Sequence, residues 1–343
     1  MSSSEAKKRL TVQVIIVSYK TADLVKTSLS ALADERAAVD ELGIDVRCYV
    51  IDNSGVDLEP VQAFVQEKGW QPWLHVVQAE RNGGFAYGNN RGFEYGLAQS
   101  PKPDYFFLLN PDAVVRPGAI SQLVEFMETH PRAGSAGSRL ENERGELWPV
   151  AFRFPGMLSE VIPALQFGPL YRLFADRMVA RTMGDKTEEV DWFPGAAMIC
   201  RASVIEELGG MDESYFLYYE ETDFCLKLKR HGWTNWYVPA SRVMHIAGKS
   251  TGVTSEGADV KRLPSYWFES RRRYFLKNYG KTYAVCTDAL TTAANLAGEV
   301  QMRLRGKPEK LREGFLRDFW RGSALQPANR AIEPERELLT PRA

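Results

Sequence analysis

The sequence has no apolar run near the roughly 18 residues that a membrane-crossing helix needs, and residues 1–10 are polar and charged, without the apolar core of a secretory signal. It has little cysteine. Cys48, Cys200, Cys225 and Cys286 lie far apart with no C-x-x-C pair, so spacing gives no support to a zinc or redox cluster. Three of them fall in apolar or strand-like runs and are expected to pack as small hydrophobes, which suits a reducing compartment. Neither sign of charge dominates. With a net charge of −1, the chain lacks the field that draws nucleic acid, so no nucleic-acid partner is expected. These absences together point to a cytoplasmic protein that would meet any lipid-linked substrate at the inner face of the membrane.

What is present reads as a folded α/β chain. At 44% hydrophobic and 25% charged residues it is globular rather than disordered, and 343 residues allow one large domain or two ordinary ones. Strand-like and helix-like segments alternate through the first half: strands at Val12–Val17, Val46–Ile51, Leu74–Val77 and Tyr105–Leu109, and helices at Thr21–Ala33, Leu58–Lys68, Phe85–Ala98 and from Pro117 to His130. Fully apolar strands separated by helices predict a mostly parallel sheet covered on both faces. Residues 140–190 are irregular and rich in Phe, Pro, Leu and Arg, and read as substrate-facing loops and short helices. The pattern resumes with a strand at Ala196–Arg201, helices at Ala202–Leu208 and Glu221–His231, and a strand at Trp236–Val238. Beyond about 265 the chain reads as helical to about 321, interrupted near Asn278–Gly280. The resulting division is a flexible segment 1–10, a catalytic domain 11–264 with halves 11–115 and 116–264, a helical region 265–325 and a tail 326–343.

The chemistry gathers at the strand ends. Val17-Ser18-Tyr19 closes the first strand, Asp52-Asn53-Ser54 the second, Glu80-Arg81-Asn82-Gly83-Gly84 the third and Asn110-Pro111-Asp112 the fourth. In a parallel sheet all four line one edge, where open α/β sheets hold their ligands. Asp112, just past an apolar strand, is placed to hold a hard divalent ion against phosphate oxygens. Gly83 and Gly84 allow close backbone approach and open a helix whose N-terminus favours an anion such as a pyrophosphate.

These segments closely resemble the inverting nucleotide-sugar glycosyltransferases of family 2, on the Rossmann-like GT-A fold. The resemblance runs from about residue 11 to 280. It is carried by Val14–Tyr19, Val50–Ser54, Asn82–Asn90, Leu108–Asp112, Trp192–Ala197, Phe216–Asp223, and His245 with Gly248 and Ser250. Within the family the chain is most similar to the bacterial rhamnosyltransferase branch, whose members build cell-surface polysaccharides.

The resemblance implies roles. Asp52 matches the acid that accepts from the pyrimidine N3–H; Ser18 and Tyr19 match the base-binding end of the first strand. Asn53, Asn82, Gly83, Gly84, Asn90 and Asn110 fall in its donor-binding segments. Asp112 matches the last acid of a metal-binding D-x-D whose first position is Asn110 here, and His245 a second metal ligand, for Mg²⁺ or Mn²⁺. The family's second acid in Glu-Asp-x-Asp is the base. Glu221 stands there, its carboxylate displaced by roughly 1.5 Å, one C–C bond, and Glu220 remains open as the alternative. Trp192, Gly195, Ala196, Asp223 and Arg271 are implied as acceptor or phosphate contacts.

The expected reaction is transfer of a sugar from a nucleoside diphosphate to a glycan or polyprenyl-pyrophosphate-linked acceptor, with dTDP-β-L-rhamnose as the leading donor. A UDP-hexose or UDP-galactofuranose donor, and a non-catalytic sugar-nucleotide-binding subunit, are the alternatives; the departures at Asn110 and Glu221 are the support for the latter. A sugar-phosphate nucleotidyltransferase wants a Gly-rich basic loop after the first strand, and Ser18-Tyr19-Lys20-Thr21 lacks it. Finally, residues 301–321 hold seven Lys or Arg against three acids, with Leu304, Leu311, Phe315, Phe319 and Trp320 at helical spacing. A membrane surface, the catalytic domain, or a second subunit in a homodimer could each take that face.

Overall fold

The computed structural model describes residues 9–148, 151–245, 262–306 and 312–335. The expectations for residues 1–8, Gly248, Ser250, Lys307, Lys310, Leu311 and 336–343 lie outside the described residues.

In the first half, β1 (Leu10–Ser18), α1 (Ala22–Asp40), β2 (Ile44–Asp52), α2 (Leu58–Glu67), β3 (Leu74–Gln78), α3 (Gly84–Leu97) and β4 (Tyr105–Leu109) alternate as the periodicity predicts. Their strands pair in parallel in the order β3-β2-β1-β4. β1 and β4 are buried almost end to end, which is why they read as unbroken apolar runs. The second half comprises β5 (Ala113–Val115), α4 (Ala119–Thr129), β6 (Ala133–Glu141), α5 (Met157–Ala164), α6 (Gly168–Leu173), β7 (Glu188–Val190), β8 (Ala197–Arg201), α7 (Ala202–Leu208), α8 (Glu220–Arg230) and β9 (Thr234–His245).

The sheet continues from β4 through β8, β6 and β9 to β5, with β7 also on β9. β8 runs antiparallel to both β4 and β6, and β5 and β7 run antiparallel to β9. The parallel expectation therefore holds for the first half, and the whole sheet is mixed. β6 and β7 carry no apolar run that would announce them, and β5 is only the three residues Ala113-Val114-Val115. β6 begins Ala-Gly-Ser-Ala-Gly-Ser because rings lie over it: a Cβ on Gly137 would fall 2.6 Å from the Phe193 ring, and one on Gly134 2.9 Å from Trp233 Cβ.

Glycines also set how α3 packs. Gly88, Gly92 and Gly96 recur every fourth residue, so they share one helix face. A Cβ on each would come within 2.5 Å of Val17, Ile15 and Phe106 respectively. The helix therefore lies closer to β1 and β4 than one bearing side chains could, and this fixes where its N-terminus meets the sheet edge.

α9 (Ser265–Leu304) bends at Gly280, whose φ of 84° and ψ of 169° leave the helical region. α10 (Phe315–Gly322) follows. Its Phe315 and Phe319 pack around Phe268 of α9, and Phe319 is buried. Phe315 and Phe319 thus dock on the protein, which is the second of the three alternatives left open for this face. Cys48, Cys200 and Cys225 are buried, as expected, and Cys286 is exposed.

Gly92→Ala tests the close packing of α3. Ala is the better helix former by up to about 1 kcal/mol, yet the added methyl meets Ile15. A net loss of about 1–3 kcal/mol is expected from overpacking, read by urea denaturation; an unchanged or raised midpoint would contradict the packing account.

Candidate active site

A cleft of about 720 Å³ opens at the carboxyl ends of β1, β2 and β4. Tyr19, Asn53, Asn82, Gly84, Asn110 and Pro111 line one side; Trp192, Pro194, Glu220, Glu221 and His245 line the other. The four strand ends thus meet at one edge, but their side chains divide into two groups.

The first group builds loops. Asp52 is fully buried. Its Oδ1 accepts from the Ser54 backbone N–H at 2.7 Å, the Ser54 hydroxyl at 2.6 Å and the Gly55 N–H at 3.1 Å; its Oδ2 accepts from the Asp57 and Leu58 N–H groups at 3.1 and 2.9 Å. Five donors fill a carboxylate with about four lone-pair sites. Asp52 holds the turn into α2, and nothing is left to accept from a nucleobase. Ser18 is likewise buried, and its hydroxyl donates to Asp57, which also accepts from Thr21 N–H at 2.9 Å. Asn90 clamps the loop after α7 through Met211 N–H at 2.9 Å and Met211 C=O at 2.8 Å. These three position the cleft without reaching it. Tyr19, 44% exposed, and Asn53 do reach it; the Asn53 amide donates to Gly84 C=O at 2.9 Å.

The start of α3 differs from expectation. Gly84, with φ of 86°, stands so near the 214–219 loop that a Cβ would fall 1.7 Å from the Phe216 carbonyl oxygen. That carbonyl accepts from Phe85 N–H at 3.2 Å, and Asn82 Oδ1 accepts from Gly84 N–H at 3.2 Å. Two of the N–H groups expected to meet a pyrophosphate are already occupied.

The second group holds the reactive functions. His245 Nε2 lies 3.2 Å from Asp112 Oδ1 and 3.4 Å from the Asn110 amide nitrogen. Asp112 and His245 come together because β5 and the end of β9 pair antiparallel, Ala113 opposite His245. Among the described residues no group of three or more His, Cys, Asp or Glu side chains could hold a metal ion. A carboxylate, an imidazole and an amide oxygen suit a divalent ion that takes its remaining ligands from phosphate and water.

Glu220 and Glu221 open α8, after Tyr218 and Tyr219, both with left-handed φ near 70°. Such backbone is costly for non-glycine residues and persists where the surroundings impose it. Glu221 Oε1 accepts from Gly195 N–H at 3.0 Å. Burial raises its pKa, and the Gly195 N–H opposes that rise. Glu220 is buried, and its Oε2 has no hydrogen-bond partner among the described residues. Its pKa is pushed well up, first by burial and then by the neighbouring Glu221.

The other expected contacts separate. Trp192 lines the cleft, stacked on Phe152 at 4.5 Å with its indole N–H donating to Arg153 C=O. Gly195 has the Phe85 ring where a Cβ would stand, at 2.7 Å. Ala196 is buried and its carbonyl accepts from Asn110 N–H at 3.0 Å. Asp223 belongs to the interior, bound to Lys277 at 2.5 Å and Asn278 at 2.7 Å. Arg271 is buried between Glu160 and Asp288, at 2.7 and 2.6 Å, which corrects the phosphate-binding reading. Glu160 also lines the cleft, as do Trp148, Phe216, Tyr218, Tyr266 and Trp267. The reading of 140–190 as substrate-facing loops named neither Trp148 nor Phe152, which line the cleft from that segment; Tyr266 and Trp267 had no signal as wall residues beyond their aromaticity.

This architecture is that of a glycosyltransferase of the GT-A type. The family model described as "Glycosyltransferase like family 2" matches residues 9–262, and the chain belongs to that family. It is similar to the N-acetylglucosaminyl-diphospho-decaprenol L-rhamnosyltransferase of Mycobacterium tuberculosis, 28% identical over 249 residues, covering 70% of this chain and 77% of that protein. Two solved structures share the fold. The mannosyltransferase PcManGT of Pyrobaculum calidifontis with GDP-Man and Mn²⁺ has a TM-score of 0.53 at 13% identity, covering 94% of this chain and 83% of that one. GalNAc-T7 with UDP, GalNAc and Mn²⁺ has a TM-score of 0.56 at 14% identity, and the match covers 83% of this chain and 52% of that chain.

The raised pKa of Glu220 makes its neutral form the one the fold prefers. Stability from this group is full below the ordinary glutamate pKa and is lost as pH rises through the raised one. Glu220→Gln is therefore expected to gain stability relative to the unmodified chain, increasingly so toward alkaline pH. Thermal midpoints across pH read this; a difference that does not change with pH would contradict it.

Proposed function

We propose that the chain is a metal-dependent inverting transferase that moves L-rhamnose from dTDP-β-L-rhamnose to a lipid-linked glycan acceptor. The observation that carries this reading is the placement of Glu221 in the same cleft as Asn110 and His245, with Gly195 N–H fixing its carboxylate. The sugar and the lipid-linked acceptor are proposed from the activity for which the mycobacterial relative is named.

Asp112 and His245, with the Asn110 amide beside them, would hold Mg²⁺ or Mn²⁺ at the donor diphosphate. When bound, such an ion offsets the charge that develops on the departing diphosphate. The remaining work falls to this chain's own groups. Asn53 and Tyr19 border the nucleoside end of the cleft, and Trp192, Phe152, Tyr266 and Trp267 give flat apolar faces for sugar rings. Glu221 takes the proton from the acceptor hydroxyl as its oxygen attacks the anomeric carbon; the bond from that carbon to the diphosphate breaks and the nucleoside diphosphate leaves. Glu220, neutral at the same pH, keeps a second negative charge away from the base. It would hold the proton that two ionised neighbours could not both release.

A base must be ionised to act. Because burial raises the Glu221 pKa, transfer should fall as pH drops through a value above the ordinary glutamate range and should level off above it. Glu221→Gln is expected to lose at least about a hundredfold in turnover, the usual size of a general-base contribution, while keeping Mn²⁺-dependent binding of the donor. Calorimetric titration and steady-state rates check both halves; normal turnover in Glu221→Gln would remove the base assignment.

Asp112→Ala addresses the ion separately. It should abolish the part of nucleoside diphosphate affinity that depends on Mn²⁺ and leave the metal-free part in place. Titrations with and without Mn²⁺ read this, and an unchanged metal dependence would move the ion elsewhere.

A further inference from the structure

Phe315 and Phe319 of α10 are docked on Phe268 and leave Trp320 exposed there, while the longer exposed apolar stripe of the C-terminal region lies on α9. Beyond Gly280, α9 turns Leu290, Leu296, Val300 and Leu304 outward, and Leu304 is 84% exposed. With Ala293 and Ala297, also exposed, their spacing of three or four residues keeps them on one face. From Leu290 to Leu304 the stripe is about 20 Å long at about 1.5 Å per residue.

The neighbouring face of α9 is occupied. A Cβ on Gly298 would fall 2.4 Å from Ala164 C=O at the end of α5, and Glu299 accepts from Gln166 Nε2 at 3.0 Å. That contact sets α6 beside the stripe, where it adds Phe167, Tyr171 and Leu173, the last 72% exposed. The Arg305 guanidinium lies 5.9 Å from the centre of the Phe167 ring, so the two segments form one surface. Within 163–174 and 289–306 the exposed charged residues are Arg172, Arg303 and Arg305, all cationic; the carboxylate of Glu299 is buried.

That pairing of apolar and cationic groups distinguishes the occupants. In a twofold dimer a patch meets its own copy, so a second chain would bring the same cations and no counter-charge. An anionic lipid surface brings hydrocarbon for the leucines and phosphates for the arginines. We propose that α6 and the distal end of α9 dock this protein on an anionic phospholipid bilayer. The proposal rests on the lipid-linked acceptor proposed above: α5, whose eight residues span about 12 Å, leads from this face to the cleft that Glu160 lines. An acceptor anchored in that bilayer then presents its sugar hydroxyl to the cleft that Glu160 and Glu221 both line.

Vesicle flotation reads this surface with no donor, acceptor or transfer involved. The unmodified chain should float with vesicles of phosphatidylcholine mixed with phosphatidylglycerol and not with phosphatidylcholine alone. The double substitution Leu173→Glu and Leu304→Glu, at positions exposed in the fold, should lower that binding at least about tenfold, and Arg172→Glu with Arg305→Glu should do the same. Transfer to a water-soluble acceptor should be unchanged in both variants. If the unmodified chain floated but transferred nothing to any acceptor, the transferase reading would fail and the surface would stand. Equal flotation of all three proteins, no flotation of the unmodified chain, or a dimer that both double variants convert to monomers would overturn the docking proposal.

Discussion

A buried carboxyl group, Glu220, and a half-buried one, Glu221, stand side by side in the first turn of α8, and much of the surrounding structure exists to keep them there. Burying one ionised carboxylate is costly, and burying two adjacent ones costs more. The N-terminal end of α8 favours negative charge, and one N–H, from Gly195, reaches Glu221. Those two contributions suit a single charge. Burial pushes both carboxyl pKa values up, and the neighbouring Glu221 adds to the rise at Glu220, while the Gly195 N–H opposes the rise at Glu221, so the contacts favour placing the charge on Glu221.

α8 must then be held against the strain of its own entry. Tyr218 and Tyr219 sit in left-handed backbone, and the loop before them presses the Phe216 carbonyl onto Gly84. The anchor is an ionic cluster behind the helix: Asp223 binds Lys277 and Asn278, and Asp212 binds Lys277 and Arg273 at 2.9 and 2.7 Å. The α9 segment before Gly280 thus does for the α8 side of the cleft what the turn gathered around Asp52 does for the β2 side. Each is a buried charge satisfied by several donors, and each fixes the loop next to it.

The first half of the fold was legible because its strands are buried on both faces and its helices are amphipathic. Tyr105–Leu109 and Ala202–Leu208 match residue for residue. β6 was illegible because its apolar surface is supplied by Phe193 and Trp233 rather than by its own side chains. In the site, the family resemblance singled out Asn110, Asp112, Glu220, Glu221 and His245; Asn110, Glu220, Glu221 and His245 line one cleft, and Asp112 lies beside His245. The sequence could not tell a carboxylate that faces the cleft from one that faces its own loop. Asp52 and Asp112 both follow apolar strands; only the count of backbone donors around Asp52 separates them. Arg271 misled for a related reason, since a run of three arginines reads as solvated charge or a phosphate site until Glu160 and Asp288 are seen on either side of it.

The central claim is that one ionised carboxylate, Glu221, activates the acceptor for direct displacement in a single step. Such a displacement reverses the configuration at the transferred carbon. Nuclear magnetic resonance of the newly formed glycoside, compared with the nucleotide-sugar donor, reads this directly. The account predicts the anomeric configuration opposite to that of the donor; a product that retains the donor's configuration would contradict it.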